Sequence, residues 1–339
     1  MKKVIIPKEI RINVGSYCDL NCIGCSKQGA KDIEGEFLDL SDYLGLINEL
    51  KEQNQTVAIS LTGGEPLHPK LINTTIKLIE RSKPWDVRLC TNAHFIDLTI
   101  AKKLKKLGVN SAQVGLDSST GDFQNYRSRS TSAWRMTIRG IEKAVKAKLD
   151  VSVRFTLYRE NLDEVQPTYK LAELLGVKQF KLRILFPVGA SVKNCINSVP
   201  SGYQLAQAQY EALLLSKRSK VRLELSQPSF FTIPKEYNAF IEDNSSCGEM
   251  SNASVNARGL VEYCLFCEDG NVFGNIRNNT FLELWNSSAI KKTRKDRKRK
   301  GTIVGCPAFE FQYNKHIGNY KKNFEIDLIK RTSELQKSL

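Results

Sequence analysis

The 339-residue chain has no long hydrophobic run. No window approaches eighteen uninterrupted apolar residues, and the opening Met-Lys-Lys-Val-Ile-Ile-Pro-Lys-Glu-Ile-Arg has no apolar signal-peptide core. These absences argue against a membrane span and a secretory signal, so the expected location is the cytoplasm. Internal repeats are missing too, apart from an alternation of strand and helix patterns, and so is low-complexity sequence apart from one basic run. A repeat array or a disordered chain is therefore not expected. With 41% hydrophobic and 26% charged residues the composition is that of a globular protein, long enough for one large domain and a smaller one.

What remains is distinctive in two respects. Nine cysteines in a reducing compartment do not make a disulfide framework, which leaves metal ligation as the leading use for most of them. The formal charge of +15 points towards an anionic partner, but Lys291 to Lys300 alone carries eight basic residues and one acid. A solvated basic helix or loop accounts for that run.

Short apolar runs alternate with amphipathic stretches from Glu9 to about Ile184, the pattern of βα units around a parallel sheet. Strands are expected at 11–14, 57–61, 87–90, 113–116, 151–157 and 180–185, with helices at 43–52, 70–81, 98–107, 134–147 and 163–175. Gly108 and Gly176 close two of these helices. Six such units suggest an α/β fold, a partial (β/α)6 TIM-like barrel with its ligand at the carboxyl ends of the strands. The expected division is a barrel at 1–200, a helix and bridging segment at 201–244, a small cysteine-rich module at 245–313 and a polar tail at 314–339.

Cys18-Asp-Leu-Asn-Cys22-Ile-Gly-Cys25 sets three thiols in one eight-residue loop directly after the first strand. Three soft ligands in such a loop can wrap one face of an iron–sulfur cube and leave one iron without a protein ligand. Zinc is the competing metal, although a structural zinc site wants a fourth Cys or His that the loop lacks.

The spacing Cys-x3-Cys-x2-Cys after a first strand, joined to Thr62-Gly63-Gly64-Glu65-Pro66 after the second, resembles the signature of the radical S-adenosylmethionine (SAM) superfamily. The resemblance runs over about Glu9 to Ala190. It implies a 4Fe-4S cluster on Cys18, Cys22 and Cys25 and a SAM molecule on Gly24, Gly63, Gly64, Glu65 and Pro66. The two glycines let backbone approach the ligand, and Glu65 offers a carboxylate to the SAM ammonium. Further strand-end matches implicate Thr91 and Asn92, then Asp117 and Ser118 near the ribose, and Arg154 for the SAM carboxylate. Asn161 and Glu164 resemble the family's Asn-x-x-Glu turn. Two departures stand out: Ala93 replaces a glycine after Thr91-Asn92, and Gly24 stands where the family often has an aromatic residue.

A second cysteine group, Cys247, Cys264, Cys267 and Cys306, follows with Gly259 as a turn glycine. It resembles the family's auxiliary-cluster domains, called SPASM in the full form and twitch in the shortened one. Four cysteines suffice for one more 4Fe-4S cluster, with a four-cysteine zinc site as the alternative. Of the other two, Cys90 reads as a small core residue, and Cys195, near the expected barrel mouth, is a candidate hydrogen-atom donor. His68 and His94 read as polar loop residues.

The implied reaction is reductive cleavage of SAM to a 5′-deoxyadenosyl radical that abstracts hydrogen from a substrate. Electrons would come from a flavodoxin or ferredoxin-type donor, and the net result would be an oxidation of a small natural-product or cofactor precursor. The first strand begins by about Arg11, with no peptide-recognition domain before it, which tilts the substrate towards a small molecule over a ribosomal peptide to be cross-linked or epimerised. An RNA-modifying or nucleic-acid-binding protein using Lys291–Lys300 as a phosphate arm is a third reading, although nucleic acid is not the expected partner.

Overall fold

The computed structural model describes residues 4–26, 37–225, 251–264, 272–300 and 307–318. Among them, ten strands join one sheet. Strand β1 (Glu9–Asn13) lies inside it. On one side follow β2 (Ala58–Thr62), β3 (Val87–Thr91), β4 (Val109–Gly115), β5 (Asp150–Leu157), β6 (Gln179–Ile184) and β7 (Arg222–Leu225), each parallel to its neighbour. On the other side β8 (Asn252–Val255) pairs parallel to β1, then β9 (Leu260–Glu262) and β10 (Val272–Asn275) run antiparallel. The C-terminal strands thus continue the barrel sheet across its first strand.

Helices α1 (Leu40–Lys51), α2 (Ile72–Ser82) and α3 (Leu98–Leu107) connect the first four strands in turn, and α4 (Gly121–Ser128) and α5 (Ala133–Lys146) lie between β4 and β5. Helix α6 (Val165–Leu174) follows β5, and α7 (Ala190–Asn194) and α8 (Gly202–Ser216) follow β6. The local signals are ordinary. Asp39 and Asp42 form a capping box that starts α1, and Tyr43, Leu46, Ile47 and Leu50 bury one face at helical spacing. Asp97 caps α3, and Gly108, at φ +88°, ends it in the left-handed region. Each crossover returns the chain to the next parallel strand, so β1 to β7 all end at the same rim.

The two faces of the sheet differ. Ile10, Ile12, Ile59, Leu61, Leu89 and Val153 are fully buried against the helices, each stabilising the fold by about 1.5–3 kcal/mol. The alternate positions, which face the lumen, are mostly polar.

The six expected strands are present, with β4 starting earlier because polar Asn110 and Ser111 hide it from an apolar pattern. Helices α4 and α7 escaped the sequence reading, since each is short and its mean character is polar or small. The C-terminal part is fastened to the first βα unit. The Glu49 carboxylate accepts from Phe281 N (2.9 Å) and Leu282 N (2.8 Å) at the start of α9 (Phe281–Trp285), and Arg277 pairs with Asp42 at 3.2 Å. Helix α10 (Ser288–Lys300) carries the basic run, and α11 (Pro307–His316) follows. No helix among the described residues is long and apolar enough to cross a membrane.

Candidate active site

The cysteine loop leaves β1 and is held from several sides. Gly64 N donates to Gly15 O (2.8 Å) and Glu65 N to Tyr17 O (2.7 Å), so the Gly63-Gly64-Glu65-Pro66 loop after β2 is hydrogen-bonded along the backbone leading into Cys18. A side chain on Gly64 would stand 2.2 Å from Tyr17 O and 2.6 Å from Ser16 O, which is why glycine is required here. Further on, Ile23 N donates to Arg127 O and Ala190 N to Cys25 O, tying the loop to α4 and to the start of α7.

Glu65 is the organiser of this rim. It is 1% exposed, and its Oε1 accepts from Leu67 N (3.0 Å) and Thr91 Oγ1 (2.6 Å), while Oε2 accepts from Asn92 N (2.6 Å). One carboxylate therefore joins the ends of β2 and β3. Burial pushes its pKa up to about 7 against the pull of these three donors. Oε2 keeps an unused lone pair, the acceptor position that an ammonium group would take.

Thr91-Asn92-Ala93-His94 closes on the cysteine loop from the other side. Asn92 Nδ2 donates to Asp19 Oδ1 (2.7 Å), and His94 Nδ1 pairs with Asp19 Oδ2 (2.6 Å). Ala93 sits at φ +68° with its side chain fully buried, so this turn needs the left-handed conformation that glycine adopts most readily.

The three thiols lie at intermediate exposure and none is in a disulfide. Leu20 N donates to Cys18 Sγ at 3.5 Å, and the Arg127 guanidinium reaches Cys22 Sγ at 3.7 Å. Burial pushes the Cys18 thiol up to about 12 and raises Cys22 as well, where Arg127 opposes it. Metal binding here displaces protons. The donors are three soft thiols on one loop. The loop offers no fourth Cys or His, so the set suits three corners of an iron–sulfur cluster better than a closed structural zinc site.

Asp117 and Ser118 have internal partners. Asp117, 2% exposed, pairs with Arg127 Nε at 2.7 Å and accepts from Thr156 N at 2.7 Å, while Ser118 is fully buried and accepts from Thr120 N. Asn161 completes this junction: its amide donates to Asp117 O (2.8 Å) and Thr156 O (3.0 Å) and accepts from Tyr158 N (2.8 Å). Glu164 Oε2 accepts from both N and Oγ of Ser119. Arg154 stands exposed on the lumen face of β5. Pro66 is buried and takes a hydrogen bond from Thr75 on its carbonyl.

Several placements differ from the sequence reading or lay beyond it. Cys90 alternates with buried Leu89 on β3 and therefore belongs to the lumen face at intermediate exposure, not to the core. Cys195 is 6% exposed, and its thiol donates to Ile23 O at 3.4 Å, bracing the cysteine loop from behind. Tyr158, which the sequence did not single out, fills the space over Gly24. A Cβ there would meet its hydroxyl at 2.1 Å, so an aromatic ring from the end of β5 occupies the neighbourhood that Gly24 itself leaves empty. Arg127 was also missed, because the helix that carries it, α4, gives no apolar periodicity. His68 stacks on Tyr17. Cys264 follows β9 at intermediate exposure, while Cys247, Cys267 and Cys306 lie outside the described residues.

The family model described as the radical SAM superfamily matches residues 12–172, and one described as an iron–sulfur cluster-binding domain, SPASM, matches residues 247–301. An AdoMet-dependent heme synthase of Methanosarcina barkeri is 25% identical over 319 residues, covering 88% of this chain and 88% of that protein. A probable GTP 3′,8-cyclase of Methanococcus aeolicus is 25% identical over 270 residues, covering 77% of this chain and 86% of that one. Among solved structures, anSMEcpe with bound AdoMet superposes with a TM-score of 0.73 at 16% identity, over 97% of this chain and 96% of that chain. Streptococcus suis SuiB bound to its precursor peptide SuiA gives 0.67 at 14% identity, over 85% and 67%. These two likenesses are of fold.

Proposed function

The chain belongs to the radical SAM superfamily and carries an iron–sulfur cluster-binding SPASM domain, and from that premise we propose that it oxidises a small molecule held in the barrel lumen. Its cofactors are a 4Fe-4S cluster and SAM, with auxiliary iron–sulfur ligation in the C-terminal domain. When bound, cluster and SAM together supply a one-electron cleavage that yields a 5′-deoxyadenosyl radical able to abstract an unactivated hydrogen.

The protein's own part is to hold and orient. Cys18, Cys22 and Cys25 ligate the cluster, and Arg127 directs a cationic N–H at the Cys22 sulfur. The Gly63-Gly64 backbone lies against the cysteine loop, and Glu65 presents Oε2 to the ammonium of SAM. Asp117, Ser118 and Asn161 position the β4 and β5 ends, with Arg154 reaching the SAM carboxylate. The observation that carries this assignment is Glu65, whose bonds to Thr91 and Asn92 and whose backbone bond to Tyr17 bring three motifs together at one rim. Tyr158 over Gly24 and half-buried Phe123 against it at 5.2 Å exclude water from the side of the loop.

In this reading Cys247, Cys264, Cys267 and Cys306 would hold the auxiliary cluster, which would supply an acceptor for the electron left on the substrate. The small-molecule assignment is supported by relatives named for a heme synthase and for GTP cyclases, matched along most of their length. Flavodoxin or ferredoxin is the electron donor. The experiment is anaerobic reconstitution with iron counting. About eight irons per chain are expected, falling to about four in Cys264→Ala; an unchanged count in that variant contradicts the auxiliary-site assignment.

A further inference from the structure

The interior of a closed (β/α) barrel is ordinarily filled by branched apolar side chains. The lumen face of this sheet is not. Glu9 and Arg11 on β1, Arg88 on β3, Lys181 and Arg183 on β6 and Glu224 on β7 all occupy its inward positions. The register places polar residues side by side around the wall, with Arg11 beside Ser60 and Ser254, Arg88 beside Ser111, and Lys181 beside Glu224. A wall of this kind does not pack into a dry core. Arg11 keeps 38% of its side chain accessible and Arg88 34%, and Arg154 is exposed in mid-strand, so the space before them is wet.

The carboxylates on this wall are already engaged. Glu9 takes Arg11 at 3.3 Å, Arg88 at 3.4 Å and Ser60 Oγ at 2.8 Å. Glu224, 1% exposed, takes Lys181 at 2.7 Å, Arg183 at 3.3 Å and Gln179 at 3.0 Å. Asp86 answers Arg88 again at 2.7 Å, and Glu262 on β9 is bonded to Asn256. Arg154 has no carboxylate at hydrogen-bonding distance among the described residues. Among the described residues Arg11 and Arg183 each hold one carboxylate through a single long contact, which leaves most of the five guanidinium N–H donors of each without an acceptor there. Arg183 lies within electrostatic reach of Arg11 and Arg154, and burial together with that like charge lowers its pKa to about 10. Against burial, Glu9 raises the pKa of Arg11 and of Arg88, so the charge least compensated by carboxylates is on β6, where burial lowers Lys181 as well as Arg183.

We propose that Arg11 and Arg183, facing one another across the lumen from β1 and β6, bind an oxyanion group of the substrate, a carboxylate or a phosphate, and so fix its reactive carbon towards the strand-end rim. The inference rests on the functional reading above and adds the substrate's chemical class. Guanidinium groups suit it because their forked N–H donors match carboxylate and phosphate oxygens in pairs. Arg154 stands beside Lys181 in the β5–β6 register, and in the functional reading above its partner is the carboxylate of SAM. Cys90 sits among the same side chains, within electrostatic reach of Arg11 and Arg183.

The test uses the full chain with clusters reconstituted and SAM saturating, so that the SAM subsite is filled. Inorganic pyrophosphate and tricarballylate are titrated calorimetrically as phosphate and carboxylate probes. Binding of at least one is expected, weakened about tenfold or more in Arg11→Gln and in Arg183→Gln and unchanged in the surface variant Lys148→Gln. The arm that binds assigns phosphate or carboxylate. As a check that needs no variant, the same anion is expected to protect Arg11 and Arg183 of the wild-type protein from phenylglyoxal, read by peptide mass spectrometry. Failure of both anions to bind, or equal binding by both arginine variants with no protection, overturns the proposal. Deoxyadenosine formation from SAM by the wild-type protein is measured separately: its absence refutes the parent reading, and its presence without anion binding refutes this one alone.

Discussion

Replacing Glu65 by Gln perturbs the rim at its organising carboxylate. In the folded protein burial raises this group from 4.5 to about 7, and at about 1.36 kcal/mol per unit the ionised form is disfavoured by about 3 kcal/mol relative to the unfolded chain. The sign follows from proton counts. Between roughly pH 4.5 and 7 the unfolded chain has released the proton that the folded chain retains, so stability falls as pH rises through this window. Gln has no such titration. It also turns an NH2 towards a buried donor, Asn92 N or the Thr91 hydroxyl, at about 1–3 kcal/mol independent of pH. Thermal melts of SAM-free wild type and E65Q from pH 5 to 8 should therefore show E65Q least disadvantaged at the alkaline end, with the gap in Tm changing by roughly 5 °C across the series. Saturating SAM brings a cation to Oε2, relieves the buried charge and flattens the wild-type slope. SAM affinity in E65Q should fall about 10- to 100-fold by calorimetry. A gap in Tm that is constant with pH, or unchanged SAM affinity, refutes this account of Glu65.

Three further outcomes are expected. Gly64→Ala drives a Cβ onto Tyr17 O and Ser16 O, backbone atoms that cannot swing aside; equilibrium dialysis should find SAM binding lost, and wild-type affinity would contradict the close approach. Asn161→Ala removes the three hydrogen bonds of a fully buried side chain at the junction of the β4 and β5 ends and should lower stability by about 3 kcal/mol in urea unfolding, whereas a loss below about 1 kcal/mol would show the junction to be held otherwise. Arg127→Met removes a cation and an N–H from Cys22 Sγ, so a redox titration followed by electron paramagnetic resonance should give a more negative cluster potential; no shift would remove Arg127 from that role.

Much of the rim was legible because its residues sit just where apolar runs stop. Cys18, Gly63-Gly64-Glu65 and Thr91-Asn92 each follow a strand, and parallel strands joined by helices end on one side, so loops far apart in sequence meet there. The left-handed Ala93 agrees with a glycine position in that turn. What escaped depends on the third dimension. Arg127 lies on a helix without apolar periodicity, and only the fold brings it to Cys22. Tyr158 follows the fifth strand with nothing in the sequence to tie it to Gly24, over which its hydroxyl lies. Cys90, hydrophobic by type, took its face from β3's alternation with Leu89. The pairing of Arg11 with Arg183 was hidden for a related reason: they stand in strands far apart in sequence, and only the fold puts them on one wall with Arg154.

The most direct measurement is SAM cleavage by the anaerobically reconstituted full chain with dithionite, quantified as 5′-deoxyadenosine by chromatography and mass spectrometry. The account predicts deoxyadenosine and methionine in equal amounts from the wild-type protein and none from Cys22→Ala, with iron bound in the former. A protein that retains zinc, or that holds iron and leaves SAM intact, would contradict it.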